Sequence, residues 1–374
     1  MTRTLRQLDC LDELLDRAGA WDDLWQRSEV RAPSARAFCI GNWLRHFAPK
    51  SALRVLIIEQ DGQMVAALPL VERRLRKLLH VGSLPVNEWS HCGDLLIDPN
   101  CDVDAVADQL VAGLDTLPWK LLWIGEAAYE TPRWVALRSA AERAGWSVAI
   151  KEVCQIPQVE IGSDWDTYHN SRKGNQRRSR RRYARMLDRE GGVRLRVERE
   201  IAPEKVEQAL RQGFEVEDRS WKGAAGTSVL KTPGMFEFYL EEARQMARWG
   251  MLELVFLDHQ GQPIAFDYGW RAKAAHFTPK IGYDDAYRKF GPGQQLMMHL
   301  LERLHGEEDC RLLDFWGPET DWHGHWKTTS YAVGRVALAS PRGVSPMLLK
   351  TFERWQKWRR HKAAARTAQT AHAP

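Results

Sequence analysis

An α/β protein built from two similar halves is the fold the sequence predicts, on three observations. The chain has 374 residues, 44% hydrophobic and 28% charged, which suits two domains of ordinary size, each with its own core. Residues 53–69, LRVLIIEQDGQMVAALP, align without gaps on residues 252–268, LELVFLDHQGQPIAFDY. After each run the same order of segments recurs: a second β-rich stretch, an amphipathic run and a short apolar strand.

Each element follows from its local pattern. The aligned runs are β-rich and reverse at Gly62 and Gly261, which predicts two β-hairpins. In the first half the strand, helix and strand that follow are HCGDLLIDP (91–99), DVDAVADQLVAGLDTL (102–117) and KLLWIG (120–125). In the second they are HFTPKIGYD (276–284), GQQLMMHLLERLHG (293–306) and RLLDFWG (311–317). Leu296, Met297, Leu300, Leu301 and Leu304 give the second helix one apolar stripe. The expected boundaries are a first domain over 1–160, a second over 161–340 with a basic helical segment at 170–190, and a tail over 341–374.

Charge and cysteine usage narrow the function classes. The net charge is +5, yet residues 172–189 alone carry +8 and residues 341–374 carry +7, which leaves −10 for the rest. Two basic segments therefore decorate an acidic body. The six cysteines form no C-x-x-C pair, which argues against a zinc site or disulfide framework and fits a reduced cytoplasm. MTRTLRQLDCLDELL places charges where a signal peptide has its apolar core. No apolar run is long enough to span a bilayer, which takes about 18 residues or more.

The stretch YRKFGPGQQL, residues 287–296, has the spacing R-x-x-G-x-G ahead of a helix. A helix start offers amides without intrahelical partners and partial positive charge, so it suits a phosphate. Gly291 and Gly293 let a pyrophosphate approach the backbone, and Pro292 sits where its missing N–H is expendable. A plain Gly-Pro helix start fits the same residues. At the matching place the first half has DPNCDVDA, acidic and without a glycine pair, so only the second half is suited to hold an anion.

Strand, R-x-x-G-x-G turn, helix and strand together resemble the acyl-CoA-binding core of the GNAT acetyltransferase superfamily. The wider layout resembles the CelD-like acetyltransferases of cellulose and exopolysaccharide synthesis, which carry two GNAT-like domains. The resembling segments, in order, are VAALPLVERR, SRKGNQRRSRRR, EDRSWKG, GQPIAFDYGW, YDDAYRKFGPGQQL and LLDFWGPE followed by WK. They span roughly residues 20–340. The resemblance implies mixed, largely antiparallel sheets flanked by helices, with acetyl-CoA or another acyl-CoA bound in the second domain. The Fem-type aminoacyltransferases share the tandem layout and use aminoacyl-tRNA, so they form the competing reading. A third is a non-catalytic GNAT pair acting as a scaffold subunit.

On the resemblance, Lys280, Ile281, Tyr283, Arg288, Lys289, Phe290, Gly291, Gly293 and Gln294 line the cofactor path. The strand around Lys280–Tyr283 would supply amides for the thioester carbonyl. Asp267 and Asp314 interrupt apolar strands, where a carboxylate needs a reason. Each is a candidate general base or a structural carboxylate. Alternation puts Asp267 with Ala265 and Gly269 on a small-residue face that would line a cleft. Tyr283, Tyr287 and Tyr331 are candidates to protonate the thiolate. Glu217, Trp221 and Lys222, and Lys327 after the last strand, are implied acceptor-site residues, with a solvated helix end as the plainer alternative.

The basic segment reads as a helix ringed with arginine, suited to an anionic acceptor, to tRNA, or to mere solvation between domains. With only Tyr183 as an aromatic, it does not suit base stacking. In the tail, Leu348, Phe352 and Trp355 share one helical face, which would pack on the domain or rest on an acidic membrane. His323 and His325 would share one side of a strand but have no companion ligands, so no metal is expected. The expected acceptor is a small molecule or glycan, and the expected location is cytoplasmic, with peripheral membrane or polysaccharide-synthase association open.

Overall fold

A computed structural model describes residues 2–75, 77–162 and 164–342. The tail reading on Leu348, Phe352 and Trp355 lies outside the described residues. Among them, thirteen strands form one mixed sheet between two layers of helices. No described helix is long and apolar enough to cross a membrane.

The first half runs β1 (Arg3–Leu8), α1 (Leu11–Asp16), α2 (Ala18–Arg27), α3 (Ala37–Phe47), β2 (Leu53–Gln60), β3 (Gln63–Leu75), β4 (Leu79–Ser83) and β5 (Leu96–Ile97). It continues through α4 (Val103–Leu114), β6 (Leu121–Ala127), α5 (Pro132–Arg143) and β7 (Ser147–Glu160). After α6 (Trp165–Ser171) and α7 (Gly174–Arg189) come β8 (Arg194–Glu198), α8 (Val206–Asp218), α9 (Trp221–Ala224), α10 (Met235–Arg248), β9 (Leu252–His259) and β10 (Gln262–Ala272). The chain then forms β11 (Ala275–Tyr283), α11 (Pro292–His305), β12 (Leu312–Asp314) and β13 (Thr329–Ala339).

The two aligned segments are matching hairpins down to their turns. Asp61 and Gly62 have φ of 50° and 84°, and Gln260 and Gly261 have 49° and 78°. Positive φ at both central residues gives the turn whose twist matches the strands it joins, and glycine takes the second position at no steric cost.

The expected strand HCGDLLIDP needs correction. It contributes only the two-residue β5, paired at the side of β3. The strand in the topological place of β11 is β4, LHVGS, antiparallel to β3 and parallel to β6. Asp94 and Asp98 explain why the predicted segment stays irregular: their side chains accept from the amides of Leu95 and Asn100, closing local turns.

The halves exchange their last strands. β13 lies between β6 and β7, and β7 lies between β13 and β12. The sheet therefore runs unbroken, with the β7–β13 pair at its centre. One apolar layer unites α2, α3, α8 and α10 across both halves. On the opposite face α4 and α5 cover the first half, and α6, α7 and α11 cover the second. Lys273, in the β10–β11 turn, donates to the carbonyls of Trp25, Ser28 and Val30 at the end of α2. One cation thus satisfies the helix end of one half from a turn of the other.

Candidate active site

β11 and β12 run parallel only over Ala275–Phe277 and Leu312–Asp314, and then separate. At the same point the β10–β11 register shifts: Trp270 faces Phe277, but Tyr268 faces Lys280, so β11 holds one extra residue there. Such a bulge bends the strand and disturbs the ladder. Beyond it, β11 has an open edge toward β12. The Ile281 carbonyl on that edge accepts from Lys222 Nζ at 3.1 Å. A strand residue points its N–H and C=O to one side, so the Ile281 amide faces the opening too.

The mouth of this opening is a cavity of about 180 Å³ between Lys222, Thr278, Lys280, Ile281, Phe315 and His323. Lys222 is fixed by Glu217, 2.7 Å away, and the other Glu217 oxygen accepts from the Val229 amide. Lys280 lies 4.8 Å over the Trp89 ring and 5.4 Å over Tyr239, and burial brings its ammonium down to about 8. Trp221 does not join them; it is 59% exposed. Lys327 is also apart, paired with Glu319 at 2.6 Å.

The phosphate turn lies further along. Gly291 has φ of 60° and caps α11 without a side chain. Its carbonyl accepts from the Gln294 and Gln295 amides, while the Gly293 amide has no protein partner among the described residues. A Cβ on Gly293 would stand 3.5 Å from the Tyr283 ring, so the turn is open at that point and Tyr283 forms its wall. Arg288 and Lys289 are exposed beside it, and Phe290 is buried beneath. The α7 residue Tyr183 packs against Gly291, and Gln295 donates to the Arg180 carbonyl. The arginine helix therefore flanks the turn. Arg178, Arg182, Arg185 and Arg189 are exposed and make no ion pair among the described residues; their spacing puts them on one face.

On the other side of the strand ends is a larger cavity of about 460 Å³. Asp314 lines it with Gln158, Trp316 and Tyr331. Asp314 accepts from the Gln158 side chain at 2.7 Å and from the Trp316 amide at 2.8 Å. Burial pushes the Asp314 carboxyl up to about 6, against these bonds and one from Tyr331. A carboxyl held near 6 in the lining of a cavity is suited to exchange protons near neutrality. Tyr331 is itself raised well above the usual phenol range, by burial and then by Asp314.

Asp267 has a different setting. The small face expected to line a cleft is filled: the His276 ring occupies the space that a Cβ on Gly269 would need. Asp267 meets His276 Nε2 at 3.0 Å and accepts from Thr278, and His276 Nδ1 stands 3.0 Å from Glu253. Burial opposes the charge on His276, but hydrogen bonds to Asp267 and Glu253 raise it to about 9. Asp267 is fully buried and lines neither cavity described here. The expectation for His323 and His325 also needs correction, since they sit in a single 3-10 turn rather than a strand. Tyr287 packs on His259 and Phe290.

The first half's share in the larger cavity has no signature in the sequence. Arg31, His91, Asp94, Glu126 and Arg133 all line it. Their segments carry no motif, and it is the exchange of β7 and β13 that brings them beside Asp314.

The family model for an acetyltransferase (GNAT) domain matches residues 174–327, from α7 through the phosphate turn to Lys327. No curated protein sequence matches the chain. Among solved structures, FemX is 11% identical, with a TM-score of 0.59 over 90% of this chain and 97% of that one. A conserved protein of unknown function from Bacteroides thetaiotaomicron VPI-5482 gives 0.58 at 11% identity over 90% and 100%. The C-terminal domain (DUF2156) of a putative lysylphosphatidylglycerol synthetase from Agrobacterium fabrum gives 0.54 at 12% over 92% and 96%. At these identities the likeness is one of fold. The open turn and the parted strands both lie within the residues that match the acetyltransferase (GNAT) domain model.

Proposed function

We propose that the chain is an acyl-CoA-dependent N- or O-acyltransferase, with acetyl-CoA as donor and a polar small molecule or glycan as acceptor. The observation that carries the proposal is the junction at Asp314. The parted β11 and β12 open on one side to the 180 Å³ cavity, and Asp314 lines the 460 Å³ cavity on the other. In this reading the donor's phosphates lie on the Gly293 amide, with Arg288 and Lys289 nearby, and the thioester carbonyl faces the Ile281 amide. The acceptor enters from the 460 Å³ side. Its nitrogen or oxygen attacks the carbonyl carbon while Asp314 takes its proton, the C–S bond breaks, and the departing thiolate takes a proton from a phenol, for which Tyr283, Tyr287 and Tyr331 are the candidates. Lys222 and Glu217 fix the open edge of β11 in this account; they do not touch the acceptor. The CelD-like order of motifs favours a glycan acceptor and association with a polysaccharide synthase.

A second reading is Fem-like use of aminoacyl-tRNA, favoured by the unpaired arginine row on α7. Thermal melting separates the two, because a ligand selective for the native state raises its melting point. Acetyl-CoA should raise it and deacylated tRNA should not. A salt-sensitive rise with tRNA alone would overturn the first reading in favour of the second. No response to either would favour the non-catalytic pair.

A further inference from the structure

Eight non-glycine residues have positive φ among the described residues, and six of them lie in turns and loops between elements: Asp61, Lys77, Glu200, Gln260, Lys273 and Ala274. The other two are Glu126, with φ of 57°, and Trp316, with φ of 50°. Glu126 lies within β6, and Trp316 lies two residues past the end of β12. These strands occupy corresponding places in the two halves, each following the helix of its repeat. Both residues line the 460 Å³ cavity.

A visible cause exists for Trp316. The left-handed backbone turns its amide onto Asp314. Glu126 has a parallel arrangement, with its carboxylate 2.5 Å from His91 Nε2. The His91 ring in turn packs against Trp316, with centroids 6.1 Å apart. Both members of the His91–Glu126 pair are about one-third exposed, and an ion pair so placed adds little to stability. Glu126 takes its left-handed φ at a bulge, since β6 holds one extra residue against β13 between Ile124 and Ala127, and bulges often re-aim a side chain beside an active site. Stability therefore does not account for the pair.

We propose that His91 and Glu126 are acceptor-binding residues, contributed by the first half to hold a hydrogen-bonding group of the acceptor opposite Asp314. This rests on the acyltransferase reading above. The cavity's charges indicate the acceptor class. Arg133 pairs with Asp94 at 2.7 Å, and His91 pairs with Glu126. The carboxylates of Glu29 and Glu160, which also line the cavity, have no ion pair among the described residues, against the single exposed Arg31. The surplus is negative, so the site favours an acceptor that enters as a cation, releases one proton to solvent before its nitrogen attacks, and carries neighbouring hydroxyls, as an amino sugar does. A carboxylate accepts hydrogen bonds from such hydroxyl and ammonium groups.

The test is thiol release from acetyl-CoA with glucosamine as probe acceptor, for the full chain and for Glu126→Gln, Glu126→Gly and His91→Gln. All three substitutions should raise KM for glucosamine about 10-fold or more and change kcat much less, as expected for loss of uniform binding. The melting shift produced by acetyl-CoA should stay as in the parent. Glu126→Gly should also melt higher than the parent, because glycine removes the backbone strain. A stabilised protein with impaired acceptor use is a result that a structural role does not produce. The proposal is overturned if KM stays within about twofold in Glu126→Gln and His91→Gln. It is also overturned if the parent responds to acetyl-CoA yet does not turn glucosamine over. No acetyl-CoA response in the parent would overturn the acyltransferase reading, and this proposal with it.

Discussion

The two halves begin their corresponding helices in opposite ways. α4 is closed by its own sequence: Asp102 at the N-cap accepts from the Ala105 amide at 3.1 Å, and Asp104 adds a second negative charge in the first turn. α11 is left open, with left-handed Gly291 in place of a capping side chain and an unpartnered Gly293 amide. Duplicated architecture thus yields one helix start that is satisfied internally and one that awaits an anion.

Removing the proposed base, Asp314, should have the largest effect on this asymmetry. Asp314→Asn should lower kcat by about 10²–10⁴-fold while the melting response to acetyl-CoA persists, since Asp314 does not face the phosphate turn. Steady-state kinetics alongside a melting curve checks both halves of that statement. Above its folded pKa of about 6 the carboxylate is ionised and able to accept a proton. The rate should therefore rise with pH through about 6 and then level, and the rise should vanish in Asp314→Asn.

Lys273 tests whether the halves are held together as described. Lys273→Met leaves three carbonyls of the α2 end without their cation, and should cost about 1.5–3 kcal/mol in urea unfolding. Next in size is an exchange of helix starts. Asp102→Ala should cost about 1 kcal/mol, the usual worth of an N-cap side chain, and leave the acetyl-CoA response intact. Gly291→Asp should remove that response, because a Cβ there would stand 2.8 Å from the Tyr183 ring and its carboxylate would repel phosphate. If both variants keep the response, the difference between the helix starts has no bearing on the donor.

The smallest effect expected is on stability at alkaline pH. His276 has a folded pKa raised to about 9, against about 6.5 for an unperturbed histidine. Its contribution is therefore complete below about 6.5 and declines as pH rises through about 9. The stability of His276→Gln should lack that decline. A pH series of urea midpoints measures it.

Much of this is legible in the sequence alone. The hairpins were visible because a turn residue pair and flanking β-rich runs are local properties, and Gly62 and Gly261 carry them. The phosphate turn was visible because glycine spacing and a helical stripe are also local. β4 was missed because LHVGS is short and its pairing with β3 and β6 is a tertiary fact. Asp267 and Asp314 looked alike in sequence, each a lone carboxylate in an apolar strand. What separates them is which neighbour fills the space beside them: His276 at Asp267, a cavity at Asp314. His91 and Glu126 had no signal, since they reach Asp314 only through the exchange of β7 and β13.

The central claim is that the donor rests on the open turn at the start of α11. Calorimetric titration of acetyl-CoA into the parent and into Gly293→Trp tests it most directly, because the indole would fill the space between that turn and Tyr283. The expected result is a folded variant with unchanged far-ultraviolet dichroism and no measurable acetyl-CoA binding. A folded variant that binds acetyl-CoA as tightly as the parent would contradict it.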